Sequence, residues 1–289
     1  MESRSMIEAT LGRALQEAVG PSTPPRLAAA MRHAVFPGGA RVRPRLTLAV
    51  AGACGQDNPG LAAAAAAAIE LLHCASLVHD DMPEFDNAPT RRGRPSVHAA
   101  HGCALALLTG DALIVLAFET IAAAAAPHQA RLPSVLAAIG RGVGAAHGIT
   151  AGQAWESEDQ PDLGTYQRAK TGALFAAAAE AGAAAAGRPS PAWRTVGLAL
   201  GEAYQVADDI ADALGNAATL GKPIGQDGAL GRPNAVQLLG LPGATDRLTA
   251  LADRAAGAVP ACRGRNDLRN LIVMESRRLL PKELFARAA

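Results

Sequence analysis

The chain has 289 residues, 27 basic and 26 acidic, for a net charge of +1; 49% are hydrophobic and 3% aromatic. So even a balance excludes a chain that binds nucleic acid or an anionic membrane through its overall field. The length lies slightly above the usual single-domain range and no linker-like composition breaks it, so one domain over residues 1–289 is expected, large enough for a cavity as well as a core.

Four separated cysteines, Cys54, Cys74, Cys103 and Cys262, form no CxxC pair. That excludes a cysteine zinc site and a disulfide framework, and points to a reduced, cytoplasmic setting. The opening MESRSMIEAT has no apolar signal core. The most apolar stretch, LAAAAAAAIELLHCASLV at 61–78, is mostly alanine and includes Glu70 and His73, so no transmembrane segment is expected.

In chain order, FPGGARVRP near 40 comes first and carries Arg41, Arg43 and Arg45. Alanine-rich segments follow at 61–78, 104–126, 172–187 and 195–214. Alanine and leucine are strong helix formers, and strand-like runs of β-branched or aromatic residues are scarce. Proline and glycine punctuation separates helix-length pieces, which predicts an all-α fold of about ten or more helices.

The first of these segments ends in LVHDDMPEFDNAPTRRGRPSVH, residues 77–98. Asp80 and Asp81 close an apolar helix, and Asp86 lies six positions beyond Asp80. Pro83 distorts the intervening turn, which predicts that Asp86 returns beside Asp80; Glu84 lies in the same loop. A second cluster lies in GEAYQVADDIADALG at 201–215, where Asp208 and Asp212 are i and i+4 and Asp209 and Asp212 are i and i+3, on one helical face. Like charges there destabilise a helix unless neutralised, and an oxygen-only donor set suits Mg²⁺. Alone, such a pair is ordinary solvated charge; two, each following an apolar helix, are harder to dismiss. Cations follow both clusters: Arg91 and Arg92 after the first, Lys222 and Arg232 after the second, with Lys170 between. A substrate that is anionic and chelates metal explains both signs of charge, and a diphosphate is such a substrate.

These motifs resemble the trans-isoprenyl diphosphate synthases, the polyprenyl synthetase family. The 77–98 stretch resembles that family's first aspartate-rich motif in its longer form, and YQVADDIAD its second; PGGARVRP, KTGALF and LGKPIGQD fall in the family's order. FPGGAR and AGQAWESE are most similar to geranylgeranyl diphosphate synthases of bacterial carotenoid pathways. The resemblance implies an isoprenoid-synthase bundle around a deep central cavity, usually a homodimer. It implies two or three Mg²⁺ per site, with Mn²⁺ an alternative, held by Asp80, Asp86, Asp208 and Asp212 and supported by Asp81 and Asp209. It implies ionisation of an allylic diphosphate, condensation with isopentenyl diphosphate, and loss of a proton. By resemblance Arg91, Lys170, Lys222 and Arg232 contact the allylic diphosphate; Arg43, His73 and Arg92 contact isopentenyl diphosphate; Thr171 and Gln205, with Lys170, serve the reacting centre. Read without the resemblance, His73 is a core histidine and Gln205 a structural hydrogen-bonder.

One departure stands out: Ala40 occupies the place of the family's usual lysine, and Arg41 or Arg45 is expected to compensate. Chain length depends on what blocks an apolar tunnel. Ala75 and Ser76, about one turn before Asp80, are small where a C15 synthase usually has a bulky aromatic, which predicts a C20 or longer product. Leu113 and Phe118 on the next helix are the expected floor, and 221–233 the expected lid. A terpene cyclase is disfavoured by the few aromatics. A non-catalytic subunit has only Ala40 in its favour, and a structural metal module leaves the arginines unexplained.

Overall fold

A computed structural model describes residues 2–159, 163–214 and 234–277. Helices α1 (Glu2–Ala18), α2 (Pro25–Val35) and α3 (Val42–Ala53) lead into the long α4 (Pro59–Asp80). A short hairpin, β1 (Thr90–Arg91) and β2 (Arg94–Pro95), precedes α5 (Val97–His101) and a second long helix, α6 (Cys103–Ala124). Then come α7 (Leu132–Val143), α8 (Ile149–Ala154), α9 (Leu163–Gln167), a π-helical turn (Arg168–Gly172), α10 (Ala173–Ala185), α11 (Arg194–Ala213), α12 (Ala235–Gly257) and α13 (Arg265–Arg277). The fold is all-α, as the alanine-rich segments predict.

Each boundary has a local cause. Asn58 accepts a hydrogen bond from the Leu61 amide at 3.1 Å and Pro59 opens α4, a side-chain cap followed by a residue with no amide hydrogen to satisfy. At Gly240 in α12 the backbone turns to positive φ, with Pro242 just beyond, and kinks the helix. The hairpin is absent from the sequence-based reading. It forms because Arg92 and Gly93 both take positive φ between paired Arg91 and Arg94, the two-residue turn that suits strand twist.

Helix α4 runs through the centre, packed on α6, α3 and α10, while α10 also packs on α7 and α11. Both α4 and α6 are long and apolar enough to cross a membrane by length and composition. In α4, 83% of the apolar window is buried within the protein, the signature of a core helix. In α6 the figure is 39%, and Leu107, Leu108 and Val115 stay about half exposed.

Small residues let backbones meet where α10 and α11 cross. A Cβ on Gly197 would lie 2.4 Å from both the Ala176 Cα and the Phe175 carbonyl oxygen, and one on Gly201 would lie 2.6 Å from the Gly172 Cα. The close crossing sets Thr171 of the π turn beside α11. Gly197→Ala is therefore expected to destabilise the fold by about 1–3 kcal/mol through overpacking against backbone. A calorimetric Tm lowered by several degrees is the expected result, and an unchanged Tm would show that the two helices part at no cost.

Candidate active site

A cavity of about 1430 Å³ opens where α4, α6, α8, the π turn and α11 converge. It exceeds the roughly 300–1,000 Å³ of an ordinary ligand pocket. Glu70, His73, Leu77 and Asp80 recur on α4 at helical spacing and all line it. So do Ala75 and Ser76, Asp86 from the following loop, and Gln205, Asp208, Asp209 and Asp212 on α11.

The loop after α4 folds back on itself. The Asp86 amide donates to the Asp80 carbonyl at 3.0 Å, the Asn87 amide to Met82 at 3.0 Å, and the Ala88 amide to Asp81 at 3.0 Å. Asp86 thus returns beside Asp80. A third acid, Glu156, joins them: one carboxylate oxygen of each lies within 4.8 Å of the other two. Glu156 is absent from the sequence-based site. Its signal is AGQAWESE, where Gln153 precedes it by three positions and donates to it at 3.0 Å; the Tyr166 hydroxyl also donates to it at 2.6 Å. The Lys170 ammonium bridges Glu156 and Asp80, reaching the Asp80 Oδ1 at 3.4 Å. A cation between carboxylates marks where a metal fits, and the donor set is all hard oxygen, as Mg²⁺ and Mn²⁺ prefer.

Adjacent aspartates diverge. Asp80 faces the cavity, whereas Asp81 is 2% exposed and turned away, forked by Arg91 through Nε at 2.9 Å and through Nη2. Burial pushes the Asp81 carboxyl up while the Arg91 fork opposes it, and the same carboxylate strengthens the hold of Arg91 on its proton. Asp81 thus stands in a supporting place beside Asp80: it anchors Arg91, whose Nη2 stays 4.0 Å from Asp80. On α11, Asp208 and Asp212 line the cavity. Asp209 is 4% exposed, accepts from Gln205 Nε2 at 3.0 Å and from the Ala235 amide at 2.8 Å, and so holds the start of α12. Gln205 in turn accepts from Thr171 Oγ1 at 3.0 Å, linking the π turn to α11.

The arginines form a second group. Arg43 lies over the Phe175 ring at 4.6 Å and the Tyr204 ring at 5.7 Å, and its Nη1 donates to His73 Nε2 at 3.3 Å. Its Nε is buried without a hydrogen-bond partner among the described residues, a donor available to an anion. Burial, then the Arg43 and Arg92 charges, holds His73 well below the usual imidazole range, so it is neutral and accepts from Arg43. Burial also pushes the neighbouring Cys74 thiol up to about 11.

Three expectations are corrected here. Arg41 does not replace the missing lysine: it makes four hydrogen bonds, to both Glu8 carboxylate oxygens, to Glu70 and to the Val35 carbonyl, and is 2% exposed. Although burial works against it, Glu8 and Glu70 raise its hold on its proton. Arg45 is bridged to Glu275 at 3.0 Å and lies outside the cavity lining. Leu113 is fully buried in the core and Phe118 packs against that core, so α6 lines the cavity through Leu107 and Ile114 instead. Lys222, Arg232 and the 221–233 lid lie outside the described residues.

An all-α cavity lined by two acid clusters and a set of arginines defines a class of enzyme that works on diphosphates with a divalent cation. The sequence matches the polyprenyl synthetase family model over residues 24–264. A geranylgeranyl diphosphate synthase of Cereibacter sphaeroides is 49% identical, covering 99% of this chain and 100% of its own. One of Rhodobacter capsulatus is 48% identical over 95% of each chain. The structure of a Helicobacter pylori geranyltransferase complexed with magnesium and isoprenyl diphosphate superposes with a TM-score of 0.77 at 27% identity, over 95% of this chain and 97% of that one. The chain belongs to the polyprenyl synthetase family, a family of prenyltransferases.

Because Glu156 closes the carboxylate group, Glu156→Gln is expected to weaken divalent-cation binding by about tenfold or more. Titration calorimetry with Mn²⁺ reads this directly, and an unchanged affinity would remove Glu156 from the site.

Proposed function

We propose that this chain, as a single helical domain, condenses isopentenyl diphosphate with allylic diphosphates and releases geranylgeranyl diphosphate, C20. The observation that carries this reading is one cavity lined by Asp80 and Asp86, with Glu156 grouped beside them, and by Asp208 and Asp212, with Lys170 and Arg91 beside the acids and Arg43 and Arg92 also in the lining. Asp80, Asp86, Glu156, Asp208 and Asp212 would hold two or three Mg²⁺, with Mn²⁺ a substitute. When bound, the ions neutralise the diphosphate as the allylic C–O bond breaks and its electron pair leaves with the oxygen.

The chain's own residues do the rest. Lys170, which lies beside Asp80 and Glu156, would contact the allylic diphosphate together with Arg91. Thr171 and Gln205, fixed to each other and to Asp209, sit beside the carbon that becomes cationic. Arg43, His73 and Arg92 hold isopentenyl diphosphate so that its double bond forms the new C–C bond, after which a proton is lost. Ala75 and Ser76 leave the turn before Asp80 open, and Ile114, Val143, Ile149 and Leu174 give the cavity aliphatic walls that suit a growing prenyl chain.

The test is a product assay with Mg²⁺, isopentenyl diphosphate and C5, C10 or C15 primers, with the freed alcohols sized. C20 alcohol is expected from the wild type and C15 or shorter from Ala75→Phe. No prenyl product would refute the function, and an unchanged product from Ala75→Phe would refute the tunnel.

The protein acts as a cytoplasmic homodimer, on this reading. Its cysteines are free thiols, consistent with a reducing compartment. Leu108 and Val115, seven positions apart on one face of α6, are 51% and 56% exposed, and Leu107 beside them also lines the cavity. Burying that face against a second copy removes apolar surface from water. Leu108→Asp is expected to convert a dimer to a monomer in sedimentation at micromolar concentration; a monomeric wild type would overturn the assembly.

A further inference from the structure

Glu70 lies ten positions before Asp80 on the same helix and is 2% exposed, yet it lines the cavity. Its Oε1 accepts from Arg41 Nη1 at 2.6 Å, and Arg92 Nη2 lies 3.9 Å from the same oxygen. Arg43, bound to His73 one turn further along α4, also feels its charge. One buried carboxylate therefore stands among three arginines drawn from two separate segments.

Both segments carry an unusual backbone turn at the arginine that meets Glu70. Arg41 and Arg92 hold φ of 53° and 55°, left-handed conformations that residues with a side chain rarely adopt and that persist only where the surroundings hold them. The same two guanidiniums cover the glycine pair. A Cβ on Gly38 would meet the Arg41 guanidinium carbon at 2.0 Å, and one on Gly39 would meet Arg92 Nε at 3.1 Å. The two arginines differ in reach. The Arg41 side chain is 0% exposed and fully engaged, whereas that of Arg92 is 25% exposed and only loosely held.

We propose that Glu70 is a positioning residue for isopentenyl diphosphate: through Arg41 it fixes the Gly38–Gly39 turn, and as the counter-charge between Arg43 and Arg92 it holds those two guanidiniums together, ready for a diphosphate. This rests on the proposed function. Without the carboxylate, Arg43 and Arg92 repel each other and Arg92 loses the charge that aims it. When the diphosphate arrives, its oxygens take over Arg92, while the shorter Arg41 bond stays. With Ala40 in place of a lysine, the anion site depends on these arginines and on their alignment.

The experiment is steady-state kinetics of Glu70→Gln and Glu70→Asp, with folding checked by circular dichroism and Tm. For Glu70→Gln the KM for isopentenyl diphosphate is expected to rise about tenfold or more, the scale of a charged hydrogen bond. The allylic KM and kcat are expected to stay within about twofold, because the allylic side is held by other groups. Glu70→Asp keeps the charge at shorter reach and is expected to give a smaller rise. Glu8→Gln, which removes the other carboxylate on Arg41, is expected to lower Tm and leave both KM values within about twofold. An unchanged KM in folded Glu70→Gln overturns the proposal, as does an equal rise for both substrates or an equal effect from Glu8→Gln. If Glu70→Gln does not fold, Glu70→Asp decides, and a wild-type KM there overturns it. A wild type that makes no prenyl product refutes the proposed function instead.

Discussion

The arrangement depends on one electrostatic constraint: carboxylates must face one another inside a cavity without pushing the helices apart. Two unit charges 4 Å apart in a partly shielded site interact by about 4 kcal/mol. Asp80, Asp86 and Glu156 meet within 4.8 Å, so the fold has to bring cations to them from elsewhere in the chain. Lys170 arrives on the π turn, and Arg91 on a two-residue hairpin. These two irregular pieces of backbone are the least helical parts of the site, and each delivers a positive charge that a straight helix would not place there.

The paired aspartates follow from helix geometry. Neighbouring helical residues point about 100° apart, so the two members of each pair take different partners. In each pair the first residue lines the cavity; Asp81 does not, and Asp209 reaches the lining while only 4% exposed. The second turns into the protein and ties down another element: Asp81 the hairpin through Arg91, and Asp209 the start of α12 through the Ala235 amide, with Gln205 and Thr171 behind it. A carboxylate at a helix N-terminus also meets favourable partial charge.

Much of this was legible in the sequence, for physical reasons. Alanine runs between proline and glycine marks give long helices whatever the tertiary context, and helical spacing alone groups Asp208 with Asp212. The misses came from contacts between distant segments. Glu156 sits in a stretch with no metal-ligand spacing of its own, and only the convergence of Gln153, Tyr166 and Lys170 on it joins it to Asp80. Among Arg41, Arg43 and Arg45, only the left-handed backbone at Arg41 decides which one turns inward to Glu70. Leu113 and Ile114 differ by a single helical position, and that rotation puts the first in the core and the second on the cavity wall. The phase of a helix that is apolar on nearly all sides cannot be set from its own sequence.

The cavity divides by polarity in a way that bears on the chemistry. Its aromatic lining residues are Phe85, Tyr166 and Tyr204. Phe85 belongs to the acid loop, Tyr166 lies by Lys170 and Glu156, and Tyr204 shares the Arg43 cation with Phe175. The aromatic faces are thus at the charged end. Among the described residues the rest of the apolar lining is aliphatic, with Ala75, Ile114, Val143, Ile149 and Leu174, and offers a carbocation no aromatic quadrupole to linger against. Such walls steady no cation as it migrates along a chain, which cyclisation requires. They do accept an extended hydrocarbon as it grows away from the carboxylates. Charged groups and aliphatic walls in one cavity therefore favour capture of the cation by a second substrate over its migration, and so favour elongation.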